Sequence, residues 1–168
     1  VEDLCSTDSE TAWLGTIGPE TQSMGTHALN LLGEPDWSAE AFKAANKMGP
    51  AALFDLLEES GLQGRGGAGF PAHIKWRAVA GQAVQKRYIV LNADEGEPGT
   101  FKDREVLMRR PDLVLEGLAI AAAATGASEV YLYLRGEFEV PSGVIAQAIA
   151  KLEETNRYPG ITFHMHAG

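Results

Sequence analysis

Two stretches hold the residues whose types and spacing could do chemistry. The first is Gly61–Pro71, GLQGRGGAGFP, with glycine at 61, 64, 66, 67 and 69. Glycines spaced this way let backbone N–H groups converge on an anion without Cβ clashes, and let a flat ring lie directly on the main chain. Arg65 in the loop and Lys75 just beyond it supply positive charge for phosphate, and Phe70 offers a ring for stacking on adenine or nicotinamide. The second stretch is Asn92–Arg104, NADEGEPGTFKDR, which puts Asp94, Glu95 and Glu97 close together behind Asn92. Carboxylates repel phosphate, so these three suit ribose hydroxyls, a carboxamide or a ring N–H; an acid on ribose hydroxyls is an established feature of dinucleotide sites.

Each stretch also has a plainer reading. The first is neither G-x-G-x-x-G between a strand and a helix nor a loop closed by Gly-Lys-Ser/Thr, so alone it can be an ordinary glycine-rich turn. The second, with Pro98-Gly99, can be a solvated acidic turn, or a site for a hard cation, although its spacing is not that of an EF-hand. His164 and His166 alternate along a strand and face one side, but no third metal ligand accompanies them; His27 and His73 stand alone. Arg135-Gly136-Glu137 reads equally as a charged edge near the site or as a strand exit. No Ser/His/Asp constellation and no glycosidase-like carboxylate pair stands out. No metal ligand set and no catalytic acid or base is assigned.

The bulk properties narrow the setting. A formal charge of −9 over 168 residues argues against general nucleic-acid binding and against docking on anionic lipid. The longest apolar run, Leu118–Ala124, is far shorter than the roughly 20 residues of a membrane span. Val1-Glu2-Asp3 opens no signal peptide, and without an initiator Met we expect a chain processed or cut at that end. The single cysteine, Cys5, can form no internal disulfide and hold no iron–sulfur cluster alone; it reads as a small terminal residue, compatible with a reducing compartment.

The elements that must position the two loops follow from pattern. Residues 1–37 read as an irregular arm with anchors at Trp13, Leu14, Ile17, Leu29, Leu31, Leu32 and Trp37, the tryptophans as packing residues. Ser38 is the expected N-cap of a helix over 39–48 that Gly49 stops. Pro50 opens a second helix over 50–60, with Ala52, Leu53, Leu56 and Leu57 inward and left-handed Gly61 after it. A short helix is expected around 74–80, then a strand at 88–91 whose apolar run suggests burial on both faces. Helices follow at 101–109, capped by Thr100 or Asp103, and at 111–125, with Leu113, Val114, Leu118, Ile120 and Ala121 inward. A strand over 129–134, a helix over 141–156 and a strand over 161–165 complete an α/β pattern with a Rossmann-like parallel sheet and right-handed crossovers, doubly wound.

GLQGRGGAGFP…KW at 61–76, NADEGEPGTFKDRE at 92–105 and YLYLRGEF at 131–138 together resemble one family. It is the FMN-binding 51 kDa subunit of respiratory complex I, with the related diaphorase subunits of NAD-dependent formate dehydrogenases and NAD-reducing hydrogenases. The resemblance spans about 45–168 and leaves the arm unplaced. It implies the α/β FMN-binding domain of that family over 38–168, as an N-terminal portion preceded by an irregular arm and two helices. It also implies FMN with NADH stacked on it, hydride passing between nicotinamide C4 and flavin N5, and electrons leaving through iron–sulfur clusters. By motif, Gly64, Arg65, Gly66 and Gly67 would cradle FMN, Lys75 would contact phosphate or flavin, and Asn92, Asp94 and Glu95 would wall the ribityl chain and ring. Phe70 and Glu97 would contact NADH. Ala78 stands where relatives often carry an aromatic, which leaves half of an adenine sandwich without its ring.

The family continues beyond Gly168 with a further glycine-rich segment, a second domain and a helical domain carrying a 4Fe–4S cluster, so residues 1–168 alone are expected to bind FMN poorly and to be inactive. The implied partners are NADH and iron–sulfur subunits, including a thioredoxin-like 2Fe–2S protein, without nucleic acid or membrane insertion. The implied location is the cytoplasm, or the matrix side of a mitochondrion. Two other readings remain: a non-catalytic nucleotide-binding or structural module, and the flavoprotein of a membrane ion-pumping electron-transfer complex.

Overall fold

The computed structural model describes Leu31 and residues 33–168, to which every statement below applies. The expected anchors Trp13, Leu14, Ile17, Leu29 and Leu32, with Cys5 and His27, lie outside the described residues.

Three strands, β1 (Tyr88–Ala93), β2 (Glu129–Leu134) and β3 (Thr162–Ala167), form a parallel sheet in the order β1-β2-β3. Six helices accompany them: α1 (Glu40–Met48), α2 (Pro50–Glu59), α3 (Ala72–Ala80), α4 (Lys102–Arg109), α5 (Pro111–Thr125) and α6 (Glu139–Glu154). The register pairs Ala93 with Leu134 and Leu134 with Ala167, so the three strands end level. The loops after them therefore emerge side by side, which is where ligands bind in such sheets.

Period-2 alternation sends Ile89, Leu91, Val130, Leu132, Leu134, Phe163 and Met165 to one face. There they pack with Leu115, Leu118, Ala119 and Ala122 of α5 and with Ile145, Ala148, Ile149 and Leu152 of α6. Both crossovers thus cover the same face, and the described residues form a singly covered sheet rather than a doubly wound one. The other face carries Tyr88, Val90, Asn92, Tyr131, Tyr133, His164 and His166. Val90 is 64% and Tyr88 50% exposed, so β1 is not buried on both sides as its apolar run suggests. Tyr131 stacks against both His164 and His166 on this open face, at 4.7 and 5.7 Å. His164 Nε2 lies 2.5 Å from Glu129 Oε2. Among the described residues no group of three or more His, Cys, Asp and Glu is arranged to hold a metal ion.

α5 is buried on both sides, between the sheet and the layer of α1, α2 and α3. Leu115 is fully buried, which a single inward stripe does not foresee. Its second face, with Ala124, packs against Ala45, Leu53 and Phe54. In α2 it is Leu53 and Phe54 that are buried, while Leu56 is exposed and Leu57 half-buried. The Ala121–Ala124 run lets neighbouring helices approach closely, and left-handed Gly126 (φ 74°) ends the helix as expected.

Ser38 does not cap α1. The N-cap is Ala39, in a left-handed conformation (φ 59°) with no side-chain cap bond. The cap comes from across the core: Phe42 N–H donates to Glu116 Oε1 at 2.8 Å. One turn away on α5, Asp112 Oδ2 accepts from Asp36 N–H at 2.8 Å and receives the Arg110 guanidinium at 2.7 Å. Two carboxylates four residues apart thus staple the first turn of α1 and the chain before it onto α5, and Trp37 packs against the main core beside them. Burial pushes the Asp112 carboxyl up, but Arg110 and the Asp36 and Leu113 N–H groups outweigh it and hold the carboxyl below its ordinary value. A carboxyl depressed in the folded state adds stability that is complete above its unfolded pKa and lost as pH falls through the folded one. Asp112→Asn is therefore expected to cost about 2 kcal/mol at pH 7 by removing the charged acceptor of the Asp36 N–H and Arg110 bonds. It should also flatten the loss of stability below about pH 4, as read from urea midpoints across pH.

Candidate functional site

The first loop is closed at its neck. Gln63 and Pro71 form an antiparallel bridge, Ala72 N–H donates to the Leu62 carbonyl, and Gly64 N–H donates to the Phe70 carbonyl. Gly64 is thus part of the neck, and Arg65, Gly66 and Gly67 form the tip. Gly61, Gly67 and Gly69 have φ of 65°, 111° and 60°, which side-chain-bearing residues adopt at a cost. Gly66 is different: its φ is not in the left-handed region, and a Cβ built on it meets no protein atom within 4 Å.

The flanking helices aim this loop. Arg77 of α3 bonds Asp55 and Glu58 of α2, at 2.5 and 2.6 Å. These groups are exposed, so the pairs fix geometry more than they stabilise. Arg87, just before β1, donates to the carbonyls of Val79, Ala80 and Gln82 at the end of α3. A cation at a helix C-terminus satisfies orphan carbonyls, and here it ties the loop's helix to the sheet.

The second loop leaves β1 and turns into α4. Asn92 Oδ1 accepts from Asp94 N–H at 3.0 Å, an Asx turn. Neither Thr100 nor Asp103 caps α4. Its N-cap is Phe101, without a side-chain bond, and its free N–H groups are met by Glu95. Asp103 N–H donates to Glu95 Oε1 at 3.0 Å and Arg104 N–H to Oε2 at 3.3 Å. Lys102 Nζ stands 3.5 Å from Glu95 Oε1 and 2.8 Å from Asp103 Oδ1. The Glu95 side chain is 2% exposed. Burial pushes its carboxyl up, but the two N–H bonds and Lys102 outweigh this and hold it below the ordinary value. Glu95 is therefore an ionised carboxylate occupying the anion position at the α4 N-terminus.

The two loops meet around one cavity of about 380 Å³, lined by Arg65, Gly66, Gly67, Asn92, Asp94, Glu95, Gly96, Glu97, Thr100, Lys102 and Asp103. Seven of the ten expected site residues are in that lining. Gly64, Phe70 and Lys75 are not; Phe70 is 46% exposed beside the loop, with Lys75 Nζ 5.9 Å from its ring centroid. Gly96, Thr100, Lys102 and Asp103 are additions, Gly96 lying within the acidic loop itself. The signal for the last three was the position of the TFKD segment at the start of a helix that follows the acidic loop directly. A smaller hollow of about 190 Å³, beside Leu152, Tyr158 and Phe163, lies at the opposite end of β3 and contains neither loop.

Within the cavity the side chains fall into two groups. Asn92, Glu95, Lys102 and Asp103 are engaged by the protein itself. The Asp94, Glu97 and Arg65 side chains make no hydrogen bond or ion pair among the described residues, and the main chain at Gly66 lies bare. Such a cavity offers carboxylates to hydroxyl and N–H donors, one guanidinium to an anion, and a glycine surface to a flat ring. A highly charged anion would have to approach through Arg65 or Lys102, because the rest of the wall is negative.

A family model described as the Nuo51 FMN-binding domain matches residues 57–168. The chain is 48% identical over 119 residues to a subunit of the NADH-quinone oxidoreductase of Rhizobium meliloti, covering 71% of this chain and 28% of that protein. It is 41% identical over 136 residues to the mitochondrial NADH dehydrogenase [ubiquinone] flavoprotein 1 of Dictyostelium discoideum, covering 77% and 28%. Among solved structures, an NAD+-reducing [NiFe]-hydrogenase in the H2-reduced state superimposes with a TM-score of 0.73 at 31% identity, over 96% of this chain and 30% of that one. The chain therefore spans less than a third of the length of these relatives.

Proposed function

This chain belongs to the family of the Nuo51 FMN-binding domain, and from that membership we propose that it is the flavin-binding portion of an NADH:acceptor oxidoreductase, over residues 38–168. The observation that carries the proposal is the single cavity in which the Arg65–Gly67 tip meets the Asn92–Glu97 loop. The residues present fit FMN: a bare glycine main chain for a ring, and free carboxylates for ribityl hydroxyls and a ring N–H. FMN, when bound, supplies the acceptor for a hydride from NADH and the means of passing electrons on singly.

The chain's own residues bind and orient. Gly66 and Gly67 leave room for close approach, and Arg65 faces an anionic group. Asn92 and Asp94 wall the cofactor, and Glu97 accepts from hydroxyls of the nicotinamide dinucleotide. Phe70 and Lys75, outside the lining, serve the dinucleotide's far end, where Phe70 stacks on adenine. Gly64 serves by closing the neck, and Glu95 by holding α4 to the loop. No side chain of the cavity is required to move a proton in the hydride step.

Relatives named as subunits of larger enzymes support assembly with partners. We assign the onward path to iron–sulfur centres outside these residues: a 4Fe–4S cluster in a further domain and a thioredoxin-like 2Fe–2S protein. The location this implies is the cytoplasm or the mitochondrial matrix side. No helix among the described residues is long and apolar enough to cross a membrane. The test is to purify the full-length polypeptide with its co-purifying chains, denature it and identify the released fluorophore. About one FMN per chain is expected; a flavin-free preparation that also fails to bind added FMN would sink the proposal.

A further inference from the structure

Arg135 is the first residue beyond β2 and lies outside the cavity lining, yet it reaches the acidic loop. Its backbone N–H donates to the Ala93 carbonyl at 3.3 Å, which extends the β1–β2 ladder by one rung. Its Nη1 donates to the Glu95 carbonyl at 2.8 Å, across 40 positions of sequence. Its Nε and Nη2 lie 2.8 and 3.1 Å from the two Glu137 carboxylate oxygens. This bidentate pairing fixes the plane of the guanidinium, so the remaining nitrogen has one direction in which to donate.

Glu95 is thereby held at both ends: its carboxylate by the first turn of α4, its carbonyl by Arg135. The loop between has few other restraints. Gly96 N–H returns to the Asp94 carbonyl, and Thr100 N–H to the Glu97 carbonyl. Asp94 and Glu97, on either side of the clamped residue, are the carboxylates left free to face a ligand. Gly136 lies close beside the end of β3, where a Cβ would stand 2.6 Å from the Gly168 carbonyl oxygen.

We propose that Arg135, oriented by Glu137, is a positioning residue: it fixes the Glu95 carbonyl and so sets where Asp94 and Glu97 stand in the nucleotide cavity, without touching the ligand. The functional half of this rests on the reading of the cavity as an NADH and FMN site; the structural half does not. Both halves are tested on Arg135→Gln, Arg135→Lys and Glu137→Gln in the full-length protein with its partners. Hydrogen exchange of the 94–97 amides should quicken at least about fivefold in Arg135→Gln, with α5 and the strands unchanged. The NADH KM should rise about tenfold, with kcat per bound flavin held within about twofold. Glu137→Gln should fall between this variant and wild type, and Arg135→Lys, which keeps the positive charge on a single donor nitrogen, should recover part of the loss. Unchanged exchange at 94–97 would overturn the clamp, whatever the cofactor. Quickened exchange with an unchanged KM in flavin-loaded protein would overturn the link to nucleotide binding. A fall in flavin content and unfolding midpoint alone, with the KM of the surviving flavoprotein unchanged, would reduce Arg135 to a fold-stabilising residue.

Discussion

Gly66→Val in the full-length protein is expected to weaken FMN binding while leaving the fold as stable as wild type. The two effects separate because nothing inside the protein needs glycine at 66. Its φ is accessible to any residue, and a Cβ there meets no protein atom within 4 Å. Under the proposed function, what the side chain would meet is the ligand. Forcing a branched side chain into a fitted contact costs about 1–3 kcal/mol, so the FMN dissociation constant should rise roughly 5- to 150-fold. Gly66→Ala should give the smaller end of that range. Gly67→Val is the contrasting control, because its φ of 111° strains any side-chain-bearing residue and should lower the unfolding midpoint as well. Equilibrium dialysis of FMN beside urea unfolding reads both quantities. Tight FMN binding by Gly66→Val would remove this main chain from the contact surface.

Glu97→Ala should act on the other ligand. Its carboxylate lines the cavity and bonds nothing among the described residues, so its removal orphans no partner in the protein. A hydrogen bond to a charged acceptor contributes about 1.5–3 kcal/mol, which predicts a rise in NADH KM of roughly 10- to 150-fold at unchanged flavin content. Glu95→Ala should behave differently, because it uncaps α4. Flavin loading and stability should fall with it. Steady-state kinetics on preparations normalised by flavin absorbance distinguish the two carboxylates. An NADH KM in Glu97→Ala equal to wild type would place the dinucleotide elsewhere.

What the sequence made legible was what local pattern controls. The strand at 129–134, the helix opened by Pro111 and stopped by Gly126, and the left-handed Gly61 depend on neighbours within a turn or two. The two loops were also legible, since their chemistry is in their composition. What failed depended on distant residues. Ser38, Thr100 and Asp103 are good local caps, but Glu116 and Glu95 reach the helix N-termini from 74 and eight positions away and take their place. The run at 88–91 looks apolar on both sides because Tyr88 and Val90 face outward, and no periodicity distinguishes a covered face from a bare one. Leu115 was missed because α5 is covered on two sides, so the expected single stripe is too narrow. Within the site, Glu95 is indistinguishable from Asp94 and Glu97 in sequence; only the course of α4 shows that it serves the fold.

The remote capping of α1 and α4 has a consequence for how the molecule comes apart. A short helix without its first-turn partners is marginal in water, because nucleation is unfavourable and few bonds repay it. α1 has nine residues and α4 eight, and each receives its first-turn acceptor from a carboxylate on another element. Neither is an independent unit: α1 is complete only once α5 is docked, and α4 only once the loop after β1 has turned inward. A peptide spanning 36–60 should therefore be far less helical than the same residues in the protein. Loosening the turn around Glu95 should fray α4 along with it, so the loop that lines the cavity and the helix behind it melt as one cooperative piece.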